Sequence, residues 1–338
     1  MVITIDSGTT NSRIRLIDAG EFKVVDTVKV SVGVRSTAIE GNNNSLREGI
    51  AEGIKEIIDR NGRIPEDIRY IAASGMITSN LGLYEVPHFY GAAGAEEFAK
   101  HSRIERIPEF LNIPAIFVPG FKNQTAVSGD AVNMTNEFDI MRGEEVETLG
   151  LLEQMNLKGP GMMILPGSHT KFVMVNDRSQ IIACLSTLGG EILDAVSKHT
   201  ILAKSLEKQL IGQVEKEALM NGFSWGQRAG LSRSLFHIRL LDLFSDMTRN
   251  QRANYMTGSV IASDLQAMEE FLRMQSSPKL DWIVIGGSNP LRKAFAYLLE
   301  TTNFAGVVEA TDEQVELSTV IGSIKIAEIC LANNIQAD

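Results

Sequence analysis

The first residues with the types and spacing for phosphate chemistry form a polar loop early in the chain. Gly8 allows backbone amides to approach an anion closely, and the neighbouring hydroxyls can donate to phosphoryl oxygens. Asp6 precedes the loop, where its carboxylate could hold Mg²⁺ through water molecules. The predicted phosphate contacts are Gly8, Thr9, Thr10 and Asn11. A polar β-turn has the same composition, so this loop alone leaves both interpretations open.

A second loop of the same kind lies near the middle of the chain, after Leu165. A shift that places Gly8 on Gly167 also places Ile14 on Val173, so we predict an internal repeat of two similar units. This loop lacks an aspartate and adds a cation, which suits it to phosphate. Its predicted phosphate contacts are Gly167, Ser168, His169, Thr170 and Lys171. A structural histidine and a solvated lysine are the alternative interpretation.

A third loop follows a short predicted strand, Trp282 to Ile285, and precedes a predicted helix that begins at Leu291. Its residues Gly286, Gly287 and Ser288 leave bare backbone that can lie against a flat ring or a ribose. A glycine pair alone is also typical of a tight turn. Three such loops, two of them related by a repeat, favour a nucleotide site. The chain has no P-loop motif and no Gly-x-Gly-x-x-Gly motif after a strand.

The spacing of apolar residues predicts the elements that position these loops. Three strands open the chain, at Val2 to Ile5, Arg13 to Ile17 and Phe22 to Val30. A helix over Ser45 to Arg60 and a strand over Arg69 to Ala73 follow.

The second half repeats this pattern and adds helices. Met162 to Leu185 forms a second strand-loop-strand unit, and helices dominate Glu191 to Leu272. An amphipathic helix from about Glu313 to Ala332 closes the chain. We therefore predict an α/β fold with mixed sheets, in which two duplicated halves face one another across a ligand-binding cleft.

The composition narrows the class of protein. The 338 residues are 44% hydrophobic and 22% charged, which is typical of a soluble globular protein. The formal net charge of −10 disfavours nucleic acid or an anionic membrane as the main partner. Cys184 and Cys330 lie in apolar stretches and indicate buried thiols in a reducing compartment. Because the start lacks a signal-peptide pattern and no apolar run approaches ~18 residues, we expect a cytoplasmic protein.

Four segments together resemble one kinase family. They are Asp6 to Arg13, Ala73 to Met76 with the nearby Ser79-Asn80, Met141 to Glu145, and Leu165 to Lys171. The sequence is similar to the 2-dehydro-3-deoxygalactonokinase family, within the superfamily of sugar kinases, heat-shock ATPases and actin. The resemblance implies two ribonuclease-H-like domains that close on ATP, and ATP-dependent phosphorylation of the terminal hydroxyl of 2-dehydro-3-deoxy-D-galactonate. Ser7 departs from the family, where we expect tryptophan, and the segment from Gly33 to Ser45 is longer.

The resemblance also implies a division into domains. We predict an N-terminal ribonuclease-H-like domain over residues 1–140, with the loops that bind the sugar acid. A C-terminal domain over residues 141–312 holds the second phosphate loop and the adenosine motif. The last helix, residues 313–338, is expected to pack back on the N-terminal domain.

Phosphoryl transfer to an alcohol needs a base that accepts the proton of the attacking hydroxyl. Related kinases place this base just before the second phosphate unit, where Glu144 and Glu145 begin a predicted helix. The N-terminal end of a helix favours an ionised carboxylate. We favour Glu144 as the base, with Glu145 as the alternative, although both could instead only complement the helix dipole. Glu191 is a third candidate that better suits a contact with the substrate or the metal. Asp6 completes the catalytic set by holding Mg²⁺.

A 2-oxo acid brings a carboxylate that binds well to a guanidinium group. Arg35 and Arg142 lie in segments that resemble the family, and either could instead form a surface ion pair. The predicted hydrogen-bond contacts with sugar hydroxyls are Ser74, Gly75, Ser79 and Asn80.

Two other functions stay open from the sequence. One is a kinase of the same superfamily that acts on another sugar or 2-oxo-3-deoxy acid. The other is a nucleotide-dependent switch without catalysis, either a repressor, which the acidic charge disfavours, or an actin-like assembly protein. We expect ATP and a sugar acid as partners, neither nucleic acid nor membrane, and allow a homodimer.

Overall fold

The structure of the chain is a computed structural model that describes residues 1–123, 132, 134–276, 279–302, 304 and 306–335. It divides into two compact units. Unit 1 contains Met1–Leu157, Ser179–Ile182 and Glu313–Asp338, and unit 2 contains Lys158–Arg178 and Ala183–Asp312. Residues 141–157 belong to unit 1. Residues 336–338 of the predicted last helix lie outside the described part.

The described residues form both strands and α-helices. The strands are β1 Val2–Ser7, β2 Ser12–Asp18, β3 Lys23–Val30, β4 Ile71–Gly75, β5 Arg103–Glu105, β6 Ala115–Phe117, β7 Phe121–Lys122, β8 Ile140–Met141, β9 Gly161–Leu165, β10 Thr170–Val175, β11 Ile181–Thr187, β12 Trp282–Ile285 and β13 Val307–Glu309. The α-helices are α1 Val34–Glu40, α2 Asn44–Arg60, α3 Ala95–His101, α4 Glu144–Met155, α5 Gly189–His199, α6 Lys216–Ala229, α7 Leu231–Phe244, α8 Arg249–Met274, α9 Leu291–Glu300 and α10 Asp312–Ile335.

Unit 1 is built on a six-stranded mixed sheet in the order β3-β2-β1-β4-β6-β5. Strand β1 pairs antiparallel with β2 and parallel with β4, so that Asp6 lies opposite both Arg13 and Ser74. Helix α2 covers one side of the sheet because its apolar residues recur with helical spacing, and Ile50, Ile54 and their neighbours are fully buried. Because β1 and β4 run parallel, their carboxyl ends lie at the same edge of the sheet.

Helix α10 lies against the same unit. The Ser323 hydroxyl is 3.5 Å from the hydroxyl of Ser74, and Arg15 donates to Thr319 Oγ1 at 3.4 Å. Helix α4 packs closely on α10 because a Cβ on Gly150 would come 1.8 Å from the carbonyl oxygen of Ser318. Helix α10 is less amphipathic than predicted, because residues on several of its faces are buried between the sheet and α4.

Unit 2 is built on a five-stranded sheet in the order β11-β10-β9-β12-β13. Strand β9 pairs antiparallel with β10 and parallel with β12, which repeats the pairing of β1 with β2 and β4. The internal repeat predicted from the sequence is therefore visible in the strand order of the two sheets. Both sheets mix parallel and antiparallel pairs, as predicted.

The helices of unit 2 pack around the long helix α8. Helix α6 crosses α8 closely, because a Cβ on Gly222 would come 1.9 Å from the carbonyl oxygen of Tyr255. Helix α7 contributes few buried residues and leaves Phe236, Leu243 and Phe244 exposed. In the described part of the chain, no helix has the length and apolar character needed to cross a membrane.

Candidate active site

The first phosphate loop is the tight turn between β1 and β2, and we call residues 6–12 hairpin 1. The amide of Gly8 donates to the carbonyl of Asn11 at 2.9 Å, and the hydroxyls of Ser7 and Ser12 are 2.8 Å apart. Residues 8–11 are exposed. Within the described residues, no hydrogen bond occupies the amides of Thr9 and Thr10. Hairpin 1 therefore presents amides and hydroxyls to solvent, as an anion site requires.

Asp6 lies beside this turn with 22% of its side chain exposed. Its Oδ2 is 3.4 Å from Arg13 NH1 on the neighbouring strand. Arg13 itself is half exposed, at 51%. Arg13 ends the segment that resembles the kinase family, but the sequence analysis assigned it no role. A cation on the strand after the predicted metal ligand could have indicated that Arg13 pairs with Asp6. The pair brings a carboxylate and a guanidinium group to the rim of hairpin 1.

The start of α4 is held at the edge of the sheet by close backbone contacts. Gly75 ends β4 with φ +78°, and a Cβ there would come 2.4 Å from the carbonyl oxygen of Ser7. Gly143, with φ +113°, packs on Gly75, since a Cβ on it would be 3.4 Å from Gly75 Cα. These contacts place the helix that begins with Glu144 next to the carboxyl ends of β1 and β4. In α/β sheets, this edge is where ligands bind.

The two glutamates at the start of α4 occupy different environments. Glu144 is partly exposed, and its Oε2 accepts a hydrogen bond from the amide of Arg142 at 3.1 Å. Glu145 is fully buried, and its carboxylate accepts from the amide of Gly143. Burial raises the pKa of Glu145 to about 7, and the neighbouring Glu144 adds to the increase. Of the two, Glu144 is the carboxylate with access to solvent.

Arg142 directs its guanidinium group into unit 1. NH1 donates to the carbonyl oxygen and hydroxyl of Thr78, at 2.8 and 2.6 Å. NH2 donates to the carbonyl oxygen of Val86 at 2.9 Å and lies 3.2 Å from His88 Nδ1. The side chain predicted to bind a substrate carboxylate is therefore used to hold the segment after β4. These long-range contacts have no signal in the local sequence.

The remaining predicted substrate contacts divide into buried and exposed side chains. The Ser74 hydroxyl is buried, 3.4 Å from the carbonyl oxygen of Ile5. Ser79 caps a local turn by donating to the carbonyl oxygen of Met76 at 2.7 Å. Asn80 and Arg35 are exposed, and the amide of Arg35 donates to the carbonyl oxygen of Thr9 at 2.9 Å. Of the predicted substrate contacts in unit 1 outside α4, Arg35 and Asn80 are thus exposed.

The second phosphate loop joins β9 to β10, and we call residues 166–171 hairpin 2. Gly167 and Ser168 are exposed, and no described residue accepts a hydrogen bond from their amides. Helix α5 begins against this loop, because the amide of Glu191 donates to the carbonyl oxygen of Ser168 at 2.8 Å. A Cβ on Gly190 would come 2.0 Å from the carbonyl oxygen of Gly167. Hairpin 2 and the N-terminal end of α5 form one surface, at which free backbone amides and the helix dipole favour an anion.

The side chains of His169, Thr170 and Lys171 in hairpin 2 differ in their access to solvent. His169 Nε2 is 3.5 Å from Glu191 Oε1, and both side chains are partly exposed. The ammonium group of Lys171 donates to the hydroxyl of Ser186 at 2.6 Å, and this lysine is only 7% exposed. Thr170 is buried and donates to Asp264 Oδ2 at 3.0 Å. Sequence reasoning missed Asp264, which lies in a helix with no recognisable motif.

The third loop lies at the carboxyl end of β12, again at the ligand edge of a sheet. The amide of Gly286 donates to the carbonyl oxygen of Ile164 at 2.8 Å, and Ser288 is exposed. Gly287 has φ +69°, and a Cβ on it would come 2.4 Å from the carbonyl oxygen of Pro166. Arg292, which is 2% exposed, supports the loop by donating to the carbonyl oxygen of Gly287 at 3.1 Å. Sequence reasoning missed this buried arginine.

These arrangements were compared with known proteins. A model of the 2-keto-3-deoxy-galactonokinase family matches residues 6–319. The chain belongs to this family. Membership confirms the predicted family and its activity, the ATP-dependent phosphorylation of 2-dehydro-3-deoxy-D-galactonate, which is the same sugar acid under its other name. A search of curated proteins found no significant match.

Two solved structures share the fold of this galactonokinase family member. One is a provisionally assigned 2-dehydro-3-deoxygalactonokinase from Sinorhizobium meliloti, at 19% identity and a TM-score of 0.71, with 96% of each chain covered. The other is component A of the (R)-2-hydroxyglutaryl-CoA dehydratase from Acidaminococcus fermentans, at 11% identity and a TM-score of 0.50, covering 97% of this chain and 99% of that one. The predicted actin-like ATPase fold is confirmed.

Proposed function

We propose that this galactonokinase transfers the γ-phosphoryl group of MgATP to the C6 hydroxyl of 2-dehydro-3-deoxy-D-galactonate, with Glu144 as the general base. The contact of Gly143 with Gly75 carries the proposal, because it fixes the start of α4 beside hairpin 1. In the reaction, the sugar oxygen attacks the γ-phosphorus and the bond to the β,γ-bridging oxygen breaks, which releases ADP. Glu144 accepts the proton of the attacking hydroxyl.

Exposure supports the choice of Glu144 over Glu145. A base must reach the hydroxyl directly or through one water molecule. Glu145 is fully buried, and its carboxylate accepts a hydrogen bond from the amide of Gly143. Glu144 is partly exposed at the first turn of α4. Glu145 then stabilises the helix start instead of reacting. Glu191 stays a proposed contact to substrate or metal, beside His169.

Asp6 is the proposed contact for Mg²⁺. In the described residues, no cluster of three or more His, Cys, Asp or Glu side chains could form a protein cage for a metal. The partly exposed carboxylate of Asp6 suits Mg²⁺, because this ion usually keeps several waters and takes one or two carboxylates in addition to substrate phosphates. A bound Mg²⁺ would neutralise charge on the β- and γ-phosphates. Asp6 would hold it through water, while hairpins 1 and 2 each contact phosphate groups.

The sugar acid is proposed to bind at unit 1 through Arg35 and Asn80. Arg35 is exposed next to hairpin 1, and the described chain offers its guanidinium group no ion pair. A guanidinium group is well matched to the planar carboxylate of a 2-oxo acid. Arg142 is a positioning residue in this account, because its donors hold Thr78 and Val86.

Two further proposals concern the state of the protein. Helix α7 exposes Phe236 and Phe244, which supports a homodimer in which a second copy covers them. Multi-angle light scattering of the wild type and of Phe244→Ser tests it, and a monomeric wild type refutes it.

The burial of both cysteines supports a cytoplasmic location, which fractionation of the host cells tests.

Coupled measurement of ADP release tests the proposed function. The protein is assayed with 2-dehydro-3-deoxy-D-galactonate, its C4 epimer, other 2-oxo-3-deoxy acids and hexoses. We expect the highest kcat/KM for the galactonate derivative and a product phosphorylated at C6 by mass spectrometry and ³¹P NMR. Preference for another acceptor would make the chain a different sugar-acid kinase. Nucleotide-dependent light scattering without substrate-dependent turnover would instead indicate an assembly protein.

A further inference from the structure

Asp264 is a buried acid directly below hairpin 2. It lies on α8, is 5% exposed, and its Oδ2 accepts a hydrogen bond from Thr170 Oγ1 at 3.0 Å. Thr170 is the residue at which hairpin 2 enters β10. The Thr187 hydroxyl is a second partner that lowers the pKa of Asp264, while Thr170 makes the hydrogen bond at 3.0 Å. A long helix of unit 2 is thus attached to the phosphate loop through one side-chain pair.

The start of α5 packs on this same pair. A Cβ on Gly189 would come 2.4 Å from Asp264 Oδ2 and 3.0 Å from Thr170 Oγ1. Three elements, β10, α8 and α5, therefore meet at one hydrogen bond. Burial raises the pKa of Asp264 to about 6, so the carboxylate is ionised above that pH.

The comparison of the two hairpins shows why such an acid is useful. The shift that places Gly8 on Gly167 places Asp6 on Leu165, so hairpin 2 has no acid of its own. Hairpin 1 is braced by the contact between the Ser7 and Ser12 hydroxyls. In hairpin 2, Thr170 instead donates a hydrogen bond to Asp264, an acid from a distant part of the chain.

We propose that Asp264 is a positioning residue that holds Thr170 and thereby aims the amides of Gly167 and Ser168 at a phosphate group of ATP. The inference rests on the proposed function of hairpin 2. It predicts an effect on the nucleotide and not on the sugar acid, because Asp264 and its partners all lie in unit 2.

Two matched pairs of variants test the inference. Asp264→Leu removes the acceptor at similar volume, whereas Asp264→Asn keeps an acceptor oxygen. Thr170→Val removes the donor, whereas Thr170→Ser keeps it. Loss of a hydrogen bond to a charged group is expected to raise the KM for ATP about 10- to 100-fold in the Leu and Val variants. The KM for the sugar acid should stay constant, and the Asn and Ser variants should remain within about threefold of wild type.

The double variant adds a readout that a general loss of stability would not produce. If Asp264 acts through Thr170, the effects of Asp264→Leu and Thr170→Val on the KM for ATP are strongly non-additive. Thermal melting is measured for every variant. Should Asp264→Leu fail to fold, the Thr170 pair decides, because valine and serine differ little from threonine in size and shape.

Gly190→Ala separates this inference from the proposed function. Its Cβ would come 2.0 Å from the carbonyl oxygen of Gly167, so it displaces hairpin 2 directly. If Gly190→Ala raises the KM for ATP while Asp264→Leu and Thr170→Val do not, hairpin 2 binds ATP and the inference is wrong. If Gly190→Ala also leaves the KM for ATP unchanged, the proposed role of hairpin 2 is refuted. Equal increases in both KM values for Asp264→Leu would likewise overturn the inference.

Discussion

The amide of Gly143 donates to both carboxylate oxygens of Glu145, at 2.8 and 2.7 Å. This arrangement closes the first turn of α4 and keeps the Glu145 side chain away from solvent. Because burial outweighs these hydrogen bonds, the pKa of Glu145 is raised to about 7. Glu145 is therefore protonated in the folded protein at pH values where it is ionised in the unfolded chain.

A pH-dependent stability follows from this difference. Between the unfolded pKa of 4.5 and the folded pKa of about 7, the folded state binds the extra proton. The contribution of Glu145 to the unfolding free energy is therefore fully present below pH 4.5. It decreases by about 1.4 kcal/mol per pH unit as the pH rises from 4.5 and is lost once the pH passes the folded pKa of about 7. Glu145→Gln should abolish this part of the decrease.

Urea unfolding of wild type and Glu145→Gln from pH 4.5 to 8 checks the prediction. Asp264, whose pKa is also raised, contributes equally to both proteins and cancels in the difference. We expect the unfolding free energy of the variant, relative to wild type, to increase with pH. A difference that is independent of pH would show that folding does not raise the pKa of Glu145.

Arg35 and Arg142 should separate binding from stability. Arg35→Gln is expected to raise the KM for the sugar acid about 10- to 100-fold, because a charge-assisted hydrogen bond is lost. Arg142→Gln should instead lower the unfolding free energy by about 1–3 kcal/mol, because the carbonyl oxygen of Val86 loses its donor, whereas that of Thr78 still accepts from the amide of Val86 at 3.0 Å. Steady-state kinetics with thermal melting measures both. The assignment fails if Arg142→Gln melts like wild type and raises only the KM for the sugar acid.

Asp6→Asn should weaken the response to Mg²⁺. A carboxylate that holds a metal through water typically contributes 10- to 100-fold to metal affinity, so the half-saturating Mg²⁺ concentration should rise by about that factor. Asp18→Asn is the control, because Asp18 ends β2 and accepts from the amide of Gly20 at 3.0 Å, away from hairpin 1. An unchanged Mg²⁺ titration for Asp6→Asn would argue against the metal contact.

Local patterns predicted much of the fold. The alternation in Arg13 to Leu16 predicted strand β2, although Arg15 is buried beside α10 instead of being exposed, and Trp282–Ile285 was predicted with its observed bounds. Glycines marked the phosphate loops because close backbone approach excludes a Cβ, as at Gly287. Features of this kind depend on neighbouring residues and are therefore visible in the sequence.

Side-chain partners distant in the chain were not predictable. The sequence showed Ser74 as a polar loop residue, yet pairing in β4 turns its hydroxyl into the interior toward α10. Arg142 was predicted to bind the substrate carboxylate, but its donors reach Thr78 and Val86 across the fold. Asp264 had no motif around it. Such contacts are set by tertiary packing, which one sequence does not reveal.

The proposed chemistry depends on one carboxylate, and steady-state ADP release by Glu144→Gln at saturating MgATP and sugar acid tests it most directly. A general base contributes about 10²- to 10⁴-fold, so kcat should fall by that factor while both KM values and the melting temperature stay close to wild type. Glu153→Gln, farther along α4 and paired with Lys325, serves as the control and should retain wild-type turnover. A Glu144→Gln protein with the kcat of wild type would contradict the account.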